Sequence, residues 1–155
     1  MVEYDYKNDE IANIVNNMII YAASKRASDI HFDPCEKGLK VRLRIDGVLQ
    51  DHTIVPLAYQ KNLTTRIKLI SGMNITESRL PQDGAIKDVI NGIDLDMRVS
   101  SLNTNLGEKI VIRILDYSKS AEGLNSLGLT ENNLEKLKKM IEVPNGIILV
   151  TGATG

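Results

Sequence analysis

The segment LKVRLRIDGVLQDHTIV alternates apolar and polar side chains on the way into a turn, and this pattern constrains the fold more than any other in the chain. Apolar side chains occupy every second position and polar side chains the positions between them: Val41, Leu43 and Ile45, then Arg42, Arg44 and Asp46. This is the period of a β-strand that has one wet face. Asp46-Gly47 supplies the positive φ angles that a tight turn needs. We therefore predict an antiparallel hairpin.

The same period returns in the second half of the chain. AIKDVI, an Asn91-Gly92 turn and IDLDMRVS predict a further hairpin, and GEKIVIRIL follows it after a polar loop. In IDLDMRVS the apolar side chains share one face: Ile93, Leu95, Met97 and Val99. These segments predict a meander of antiparallel strands.

Helices are predicted before and between these strands. Apolar residues at three-and-four spacing predict a helix over about 9–26, capped by Asn8 or Asp9. SDIHFDP reads as a short strand ended by Pro34. Pro56 suits the first position of a second helix that ends at Ser71-Gly72, and MNITESRLPQDG has no period and is predicted to be a loop. Strands and helices in this mixture predict an α+β module.

The pattern changes after Leu115. DYSKSAEGLNS is polar and aperiodic, as in a linker. Thr130 is predicted to cap a short helix whose inner face carries four apolar residues: Leu134, Leu137, Met140 and Ile141. The continuously apolar run from Ile147 to Val150 is typical of a strand buried on both faces of a parallel sheet. This region predicts the opening helix and strand of a second, α/β domain.

The end of the chain, GIILVTGATG, has the form of a strand followed by a glycine-rich turn. A phosphate-binding loop needs G-x-x-x-x-G-K-[ST], in which backbone N–H groups hold phosphates, the lysine meets the terminal phosphates and the hydroxyl binds Mg²⁺. Gly152 fits the first glycine, and the lysine would lie beyond Gly155. Taken alone, a strand followed by a glycine turn is common and usually only structural.

Charge and residue usage argue against several classes of site. The net charge is −1, whereas binding to a nucleic acid backbone usually requires a basic excess. The one cysteine, Cys35, can form neither an intrachain disulfide nor a cysteine metal cage. His31 and His52 lack neighbouring ligands at metal-binding spacing and are expected to be structural, so we predict no metal site in this chain. No segment resembles a signal peptide or a membrane span.

Two arginines are the strongest candidates for a binding site. Arg98 and Arg113 flank SSLNTNLGEK, and a hairpin symmetric about Asn105 and Leu106 would place them opposite each other on one face. Like charges directly opposed destabilise a strand pair, and an anion between them would reverse this. Alternatively, both are solvated or paired with nearby aspartates, and a register slip of one residue would separate them.

Other polar residues also have structural interpretations, which are favoured for Arg42 and Arg44 and equally good for Arg79 and Asp83. Arg42 and Arg44 fit a solvated sheet face. Arg79 and Asp83, in RLPQDG, lie in a loop that could carry function or simply bond to itself.

Five segments occur together, in order and at compatible spacing: ASDIHFDP, VRLRIDGVL, RLPQDG, MRVSSLNTNLGEKIVIRIL and NGIILVTGATG. This set resembles the secretion ATPase superfamily, the hexameric motors of type II secretion, type IV pilus assembly and DNA-uptake pseudopili. The resemblance extends from about Ile11 to Gly155 and implies three regions. Residues 1–117 would be a PAS-like domain with an antiparallel meander sheet and flanking helices, 118–128 a linker, and 129–155 the incomplete start of a RecA-like ATPase domain, interrupted within its Walker A motif.

The resemblance also implies roles for individual residues. Arg98 and Arg113 match the arginines of the family's RVS and GEKxVxR motifs, which reach the bound nucleotide as sensors or arginine fingers. Gly152, Ala153, Thr154 and Gly155 match the opening of the nucleotide-binding loop. Two positions depart from the family pattern: Ala85 stands where an arginine usually follows RLPQDG, and Asp33 where glutamate is common.

The function implied for the intact protein is ATP hydrolysis with ATP and Mg²⁺. This would power type IV pilus assembly or type II secretion from a cytoplasmic homo-hexamer on the inner face of the cell membrane. Its partners would be the inner-membrane platform and the pilin or pseudopilin machinery, with no direct contact to nucleic acid. The 155-residue chain itself is expected to bind no cofactor and to be inactive, because the loop lysine is missing.

Three other interpretations remain open. A PAS-like scaffold that binds only protein partners would need no nucleotide. A retraction motor of the same superfamily would tend to depart from the RLPQDG and GEKxVxR forms present here. A DNA-directed relative is disfavoured by the near-neutral charge.

Overall fold

In the computed structural model, residues 2–90, 93–116 and 123–152 are described. The chain divides into two units, Met1–Ser118 and Lys119–Gly155. Each unit is described by itself.

The first unit contains two helices and six strands. In chain order they are α1 (Ile11–Ser24), β1 (Asp29–Cys35), β2 (Gly38–Ile45), β3 (Val48–Pro56), α2 (Leu57–Ile70), β4 (Gln82–Ile90), β5 (Ile93–Thr104) and β6 (Gly107–Asp116). The strands form one antiparallel sheet in the order β3-β2-β1-β6-β5-β4. β1 is therefore central, and the segment containing α2 crosses from one edge strand to the other. The expected α+β class, with a meander sheet and flanking helices, is confirmed.

The predicted hairpin is formed by β2 and β3. Asp46 and Gly47 both have positive φ, 49° and 80°, as the turn requires. The register shifts between Val41 and Arg42, whose partners are Thr53 and Asp51. This bulge places the adjacent residues His52 and Thr53 both in buried positions, at 4% and 5% exposure.

One face of the sheet carries the core, and the other is polar. The predicted apolar stripe of α1 faces the core. Ile11 is partly buried, and the other five residues are buried: Ile14, Val15, Met18, Ile19 and Ala22. The strands contribute apolar residues to the same cluster: Ile30, Phe32, Val41, Leu43, Met97, Val99, Ile110 and Ile112. Because side chains alternate along a strand, the intervening charged residues are directed to the opposite face. That face holds the candidate site.

Several predicted element ends in this unit are wrong. Neither Asn8 nor Asp9 caps α1; the N-cap is Glu10, without a side-chain hydrogen bond. The Asp5 carboxylate instead accepts hydrogen bonds from the N–H of Lys7 and of Asn8, and so forms a separate turn before the helix.

The element ends predicted from proline and glycine residues also differ from the structure. Pro34 does not end β1, which continues to Cys35. At Pro34 the strand still pairs with β2, but its pairing with β6 has stopped at Phe32, and a proline is tolerated where a strand has a neighbour on one side only. Pro56 immediately precedes α2 rather than starting it. β4 begins at Gln82, inside the predicted loop, where a Cβ on Gly84 would lie 2.3 Å from the Ser71 carbonyl oxygen. Glycine here permits that close approach.

The second unit differs from its prediction. It contains a 3₁₀ turn over Leu124–Leu127 and the helix α3 (Glu131–Ile141). Thr130 is the N-cap residue of α3, but its side chain makes no capping bond, and no residue of α3 is buried. Ile147–Val150 forms no strand and is 51–93% exposed. A strand needs a hydrogen-bonded neighbour, and the described residues of this unit include none.

Two predicted features fall outside the described residues. These are the Asn91-Gly92 turn and most of the predicted linker, over 117–122.

Candidate functional site

Five strands place one residue each in a row across the polar face. The register pairs Arg44 with Asp29, Asp29 with Arg113, Arg113 with Arg98, and Arg98 with Ala85. The order from β2 to β4 is therefore arginine, aspartate, arginine, arginine, alanine. The hairpin of β5 and β6 closes at Thr104 and Gly107, so its turn is centred on Asn105 and Leu106 as expected. We call these five residues the arginine row.

Asp29 is the buried member of this row, with 6% exposure. Its Oδ1 accepts a hydrogen bond of 3.1 Å from Arg113 Nε. Its Oδ2 accepts a 2.8 Å bond from the Ser28 hydroxyl and lies 3.3 Å from Arg44 Nε. One carboxylate therefore faces an arginine on each side, and the row carries more positive than negative charge.

Arg98 is held much more loosely. Its Nε lies 3.8 Å from Asp96 Oδ1, at the outer limit of an ion pair, and its side chain is 61% exposed. The Arg113 side chain is 68% exposed although it bonds to Asp29. The two arginines predicted to act together thus lie opposite each other on one face, and both are open to solvent. Of the suggested aspartate partners, Asp96 makes only this long contact, and the side chain of Asp94 lies outside the described part.

Arg44 makes a second contact, since its Nη1 donates a 2.9 Å hydrogen bond to the Gly47 carbonyl.

Burial alone would raise the pKa of Asp29, but the hydrogen bonds from Ser28 and Arg113 and the charge of Arg113 outweigh it. The pKa of Asp29 is therefore lowered, and the carboxylate is ionised at neutral pH.

A second carboxylate lies four residues along β1. Asp33 Oδ2 accepts two hydrogen bonds from Arg42, at 2.7 and 3.0 Å, and Oδ1 lies 2.8 Å from Lys109 Nζ. On the far side of Lys109, the β5 partner is the apolar residue Leu102. We call Asp33, Arg42 and Lys109 the Asp33 cluster. Its two cations lie on β2 and β6, and β5 contributes none to it.

His31 separates the two carboxylates on the same face of β1. Its Nε2 is buried and has no hydrogen-bond partner. Burial lowers the pKa of His31 more than the neighbouring aspartates raise it, so the ring is neutral at pH 7. His52 lies elsewhere and packs between aromatic rings, with its Nε2 2.8 Å from the Tyr4 hydroxyl.

The loop that contains RLPQDG is fixed by a network that the sequence did not reveal. Lys68, 1% exposed, donates hydrogen bonds to the Glu77 carbonyl and to Glu108 Oε1, the latter at 2.7 Å. The Gln82 side chain donates to the carbonyls of Asn74 and Glu77. Lys68 follows Thr64 by one helical turn on the buried side of α2, and this spacing could have signalled an inward-facing lysine.

The other candidates in this loop remain at the surface. The Arg79 side chain is 86% exposed and lies 3.7 Å from the Glu77 carboxylate. Asp83 accepts a 2.6 Å hydrogen bond from the Ser100 hydroxyl across the sheet. A cleft of about 620 Å³ beside α2 is lined by Gln60, Thr64 and Ser78 among others, and no member of the arginine row lines it.

The predicted phosphate loop is described only in part. Gly152 is exposed, and Ala153, Thr154 and Gly155 lie outside the described residues. Within the described ranges, no group of three or more metal-ligating side chains comes together. Those ranges also contain no helix with the length and apolarity needed to cross a bilayer.

Comparisons with known proteins agree with the motifs. The family model described as "Type II/IV secretion system protein" matches residues 5–155. The chain belongs to this family. It is 44% identical over 145 residues to "Type II secretion system protein E" of Xanthomonas campestris pv. campestris, covering 94% of this chain and 26% of that protein. It is 42% identical over 146 residues to "Type IV pilus assembly ATPase PilB" of Myxococcus xanthus, with the same two coverages.

The chain thus spans about a quarter of the length of these curated relatives. Among solved structures, the Legionella pneumophila ATPase DotB superimposes with a TM-score of 0.56 at 19% identity, over 85% of this chain and 36% of that one. At this identity the likeness concerns the fold alone. The membership in the secretion ATPase superfamily that the motifs indicated is confirmed.

Proposed function

We propose that the intact protein is a motor ATPase of type IV pilus assembly or type II secretion. In this proposal Arg98 and Arg113 sense the terminal phosphate of bound ATP. The observation that carries it is the pairing of these two arginines, opposite each other in register and 61% and 68% exposed. The names of the relatives support the class of protein.

The physical reason is charge. Two guanidinium groups in directly opposed positions repel each other, so holding them together destabilises the sheet. A phosphate group between them would convert that repulsion into attraction, and arginine's planar fork matches phosphate oxygens. An ATP γ-phosphate carries charge that ADP lacks, so such a pair would respond to the state of the nucleotide.

The nucleotide itself would be held elsewhere in the intact protein. Gly152 to Gly155 would form the start of the phosphate loop, and the lysine and hydroxyl that hold ATP and Mg²⁺ would follow. We propose the three regions 1–117, 118–128 and 129–155 as the sensing domain, the linker and the start of the ATPase domain. Without the loop lysine, the 155-residue chain should not hydrolyse ATP.

We further propose that the intact protein acts as a cytoplasmic homo-hexamer against the inner face of the cell membrane. Nucleotide-dependent movement of the two domains would drive pilin or pseudopilin subunits through an inner-membrane platform. A motion of this kind requires a contact present with ATP and absent with ADP, which the two arginines could provide.

The test is the ATPase rate of the intact protein with Arg98→Ala or Arg113→Ala. Each variant should lower turnover by about 10³-fold or more, the range typical of an arginine finger. Arg42→Ala is the matched control, because Arg42 lies on the same sheet face but pairs with Asp33. Wild-type turnover in both test variants would refute the sensor role.

A further inference from the structure

Asp29 is a member of the arginine row to which the family motifs assign no role in the chemistry. Asp29 is 6% exposed and bonds to Arg113 through Nε. An exposed arginine side chain loses rotamer entropy when it is fixed in one geometry. A bond to Nε removes part of that freedom before any ligand arrives.

The position of Asp29 also limits where the guanidinium can lie. Asp29 and Arg98 are both register partners of Arg113, on opposite sides of β6. The bond from Nε to Asp29 therefore fixes the guanidinium within this row of the sheet. Arg98 has only the 3.8 Å contact with Asp96 and could adjust to the same ligand.

We propose that Asp29 is a positioning residue for nucleotide sensing: its carboxylate holds the Arg113 guanidinium in the orientation in which it meets a phosphate group shared with Arg98. This inference rests on the function proposed above. Asp29 does not touch the nucleotide. Arg44 and Ser28, bound to the other oxygen, keep the carboxylate fixed and prevent its rotation away from Arg113.

The Asp33 cluster supplies a matched control within the same sheet. Asp33 also lies on β1 between cations of β2 and β6, and its pKa is also lowered, although burial alone would raise it, by hydrogen bonds and charge from Lys109 and Arg42. The β5 residue beside Lys109 is Leu102, whereas the β5 residue beside Arg113 is the cation Arg98. Loss of either carboxylate should disturb the sheet similarly, but only Asp29 should affect the sensor.

The experiment measures ATPase kcat and KM for the intact protein in four variants: Asp29→Asn, Asp33→Asn, Arg113→Ala, and Asp29→Asn combined with Arg113→Ala. We expect Asp29→Asn to lower kcat about 10- to 100-fold, as misplacement of a reacting group does. Asp33→Asn should stay within about twofold of the wild type, as expected of a partly exposed ion pair away from the chemistry. The combined variant should match Arg113→Ala alone, because the loss of the carboxylate would have no guanidinium left to misplace.

The outcomes separate this inference from the function on which it rests. Wild-type turnover in Arg113→Ala would refute the sensor role of Arg113, on which this inference rests. A large loss in Arg113→Ala with none in Asp29→Asn would refute the positioning role alone. If Asp29→Asn causes the same further loss in the Arg113→Ala background, it acts by general destabilisation, and the positioning role is again refuted.

A second measurement needs no variant, so it can be made even if Asp29→Asn fails to fold. It tests the bond from Arg113 Nε to Asp29, on which the positioning role depends. In the 155-residue chain, the Nε proton of Arg113 should exchange slowly in an NMR spectrum at neutral pH, because it is bonded to Asp29. It should lose that protection when Asp29 is protonated in acid. Rapid exchange at neutral pH, equal to that of the Arg79 Nε proton, would overturn the proposal.

Discussion

Asp29 and Asp33 lie on the same face of β1, and each binds cations of both neighbouring strands, but the residues beyond those cations differ. Asp29 is in register with its two arginines, whereas the β2 register partner of Asp33 is Lys40 and the pairing of β1 with β6 has stopped at Phe32. Each carboxylate lies between a cation of β2 and a cation of β6: Arg44 and Arg113 for Asp29, Arg42 and Lys109 for Asp33. Beyond β6, the first row continues to a third cation, Arg98, and the second to Leu102. The ion pairs alone therefore do not make a binding site. The surplus cation on β5 distinguishes a candidate phosphate site from a structural cluster.

The largest expected contrast concerns the type of cation on β6. Arg113→Lys keeps the charge but removes the planar fork and the Nε bond, so we expect intact-protein turnover to fall about 10- to 100-fold. Lys109→Arg, four residues away on the same strand, should leave turnover unchanged. Steady-state ATPase assays of both variants check this. Equal effects would mean that the two clusters are not functionally distinct.

The stability of variants that lack one carboxylate should also distinguish the arginine row from the Asp33 cluster. Asp29→Ala and Asp33→Ala should each destabilise the 155-residue chain by about 1–3 kcal/mol, because charged hydrogen-bond partners are left unmatched. Inorganic phosphate should restore more stability to Asp29→Ala, which leaves three arginines in one row, than to Asp33→Ala. Urea unfolding with and without phosphate measures the difference. Equal recovery in both variants would contradict a preferred anion site at the arginine row.

The two carboxylates should also respond to acid independently. The pKa values of Asp29 and Asp33 are lowered in the folded protein, so each stabilises the fold above the unfolded pKa of about 4, and this stability is lost as the pH falls through the folded pKa. Arg113→Ala should raise the pKa of Asp29 but not that of Asp33, and Lys109→Ala should do the reverse. NMR titration of the carboxyl carbons tests this, and a shift of both aspartates in either variant would contradict it.

The smallest effect is expected at the end of the arginine row. Ala85 is the β4 partner of Arg98, so Ala85→Arg would extend the row by one more cation. We expect a few-fold tighter binding of ATP to the intact protein, since a solvent-exposed charge contributes at most about 1 kcal/mol. Leu102→Arg, next to the Asp33 cluster, is the control and should not change ATP affinity. Calorimetric titration with ATP measures both.

The local parts of this site could be predicted from the sequence. Alternation indicated which residues of β5 and β6 share a face. The pairing of Arg98 with Arg113 was predicted on the condition that the turn is symmetric about Asn105 and Leu106, and the structure has this register. The bond from Arg113 to Asp29 was not predicted, because 84 residues separate the two, and nothing local indicates that β1 lies beside β6. Long-range strand order determines which carboxylate an arginine meets.

The features that the sequence did not reveal have a common physical basis. The strand expected over Ile147–Val150 was inferred from composition, but a strand exists only when its backbone groups pair with a neighbour. The burial of His52 depends on a bulge that the alternation of β3 does not reveal. Lys68 is buried because Glu108 and the Glu77 carbonyl compensate its charge. Glu108 is remote from Lys68 in the sequence, and the Glu77 carbonyl reaches it only because the loop is folded.

The most direct test is the binding of ATP and of ADP to the intact protein, in the wild type and in the Arg98→Ala, Arg113→Ala double variant. If the two arginines contact the γ-phosphate, the double variant should bind ATP about 100-fold or more weakly, because charged hydrogen bonds contribute about 1.5–3 kcal/mol each. ADP binding should stay within about twofold of the wild type. Equal weakening of both nucleotides, or of neither, would contradict the account.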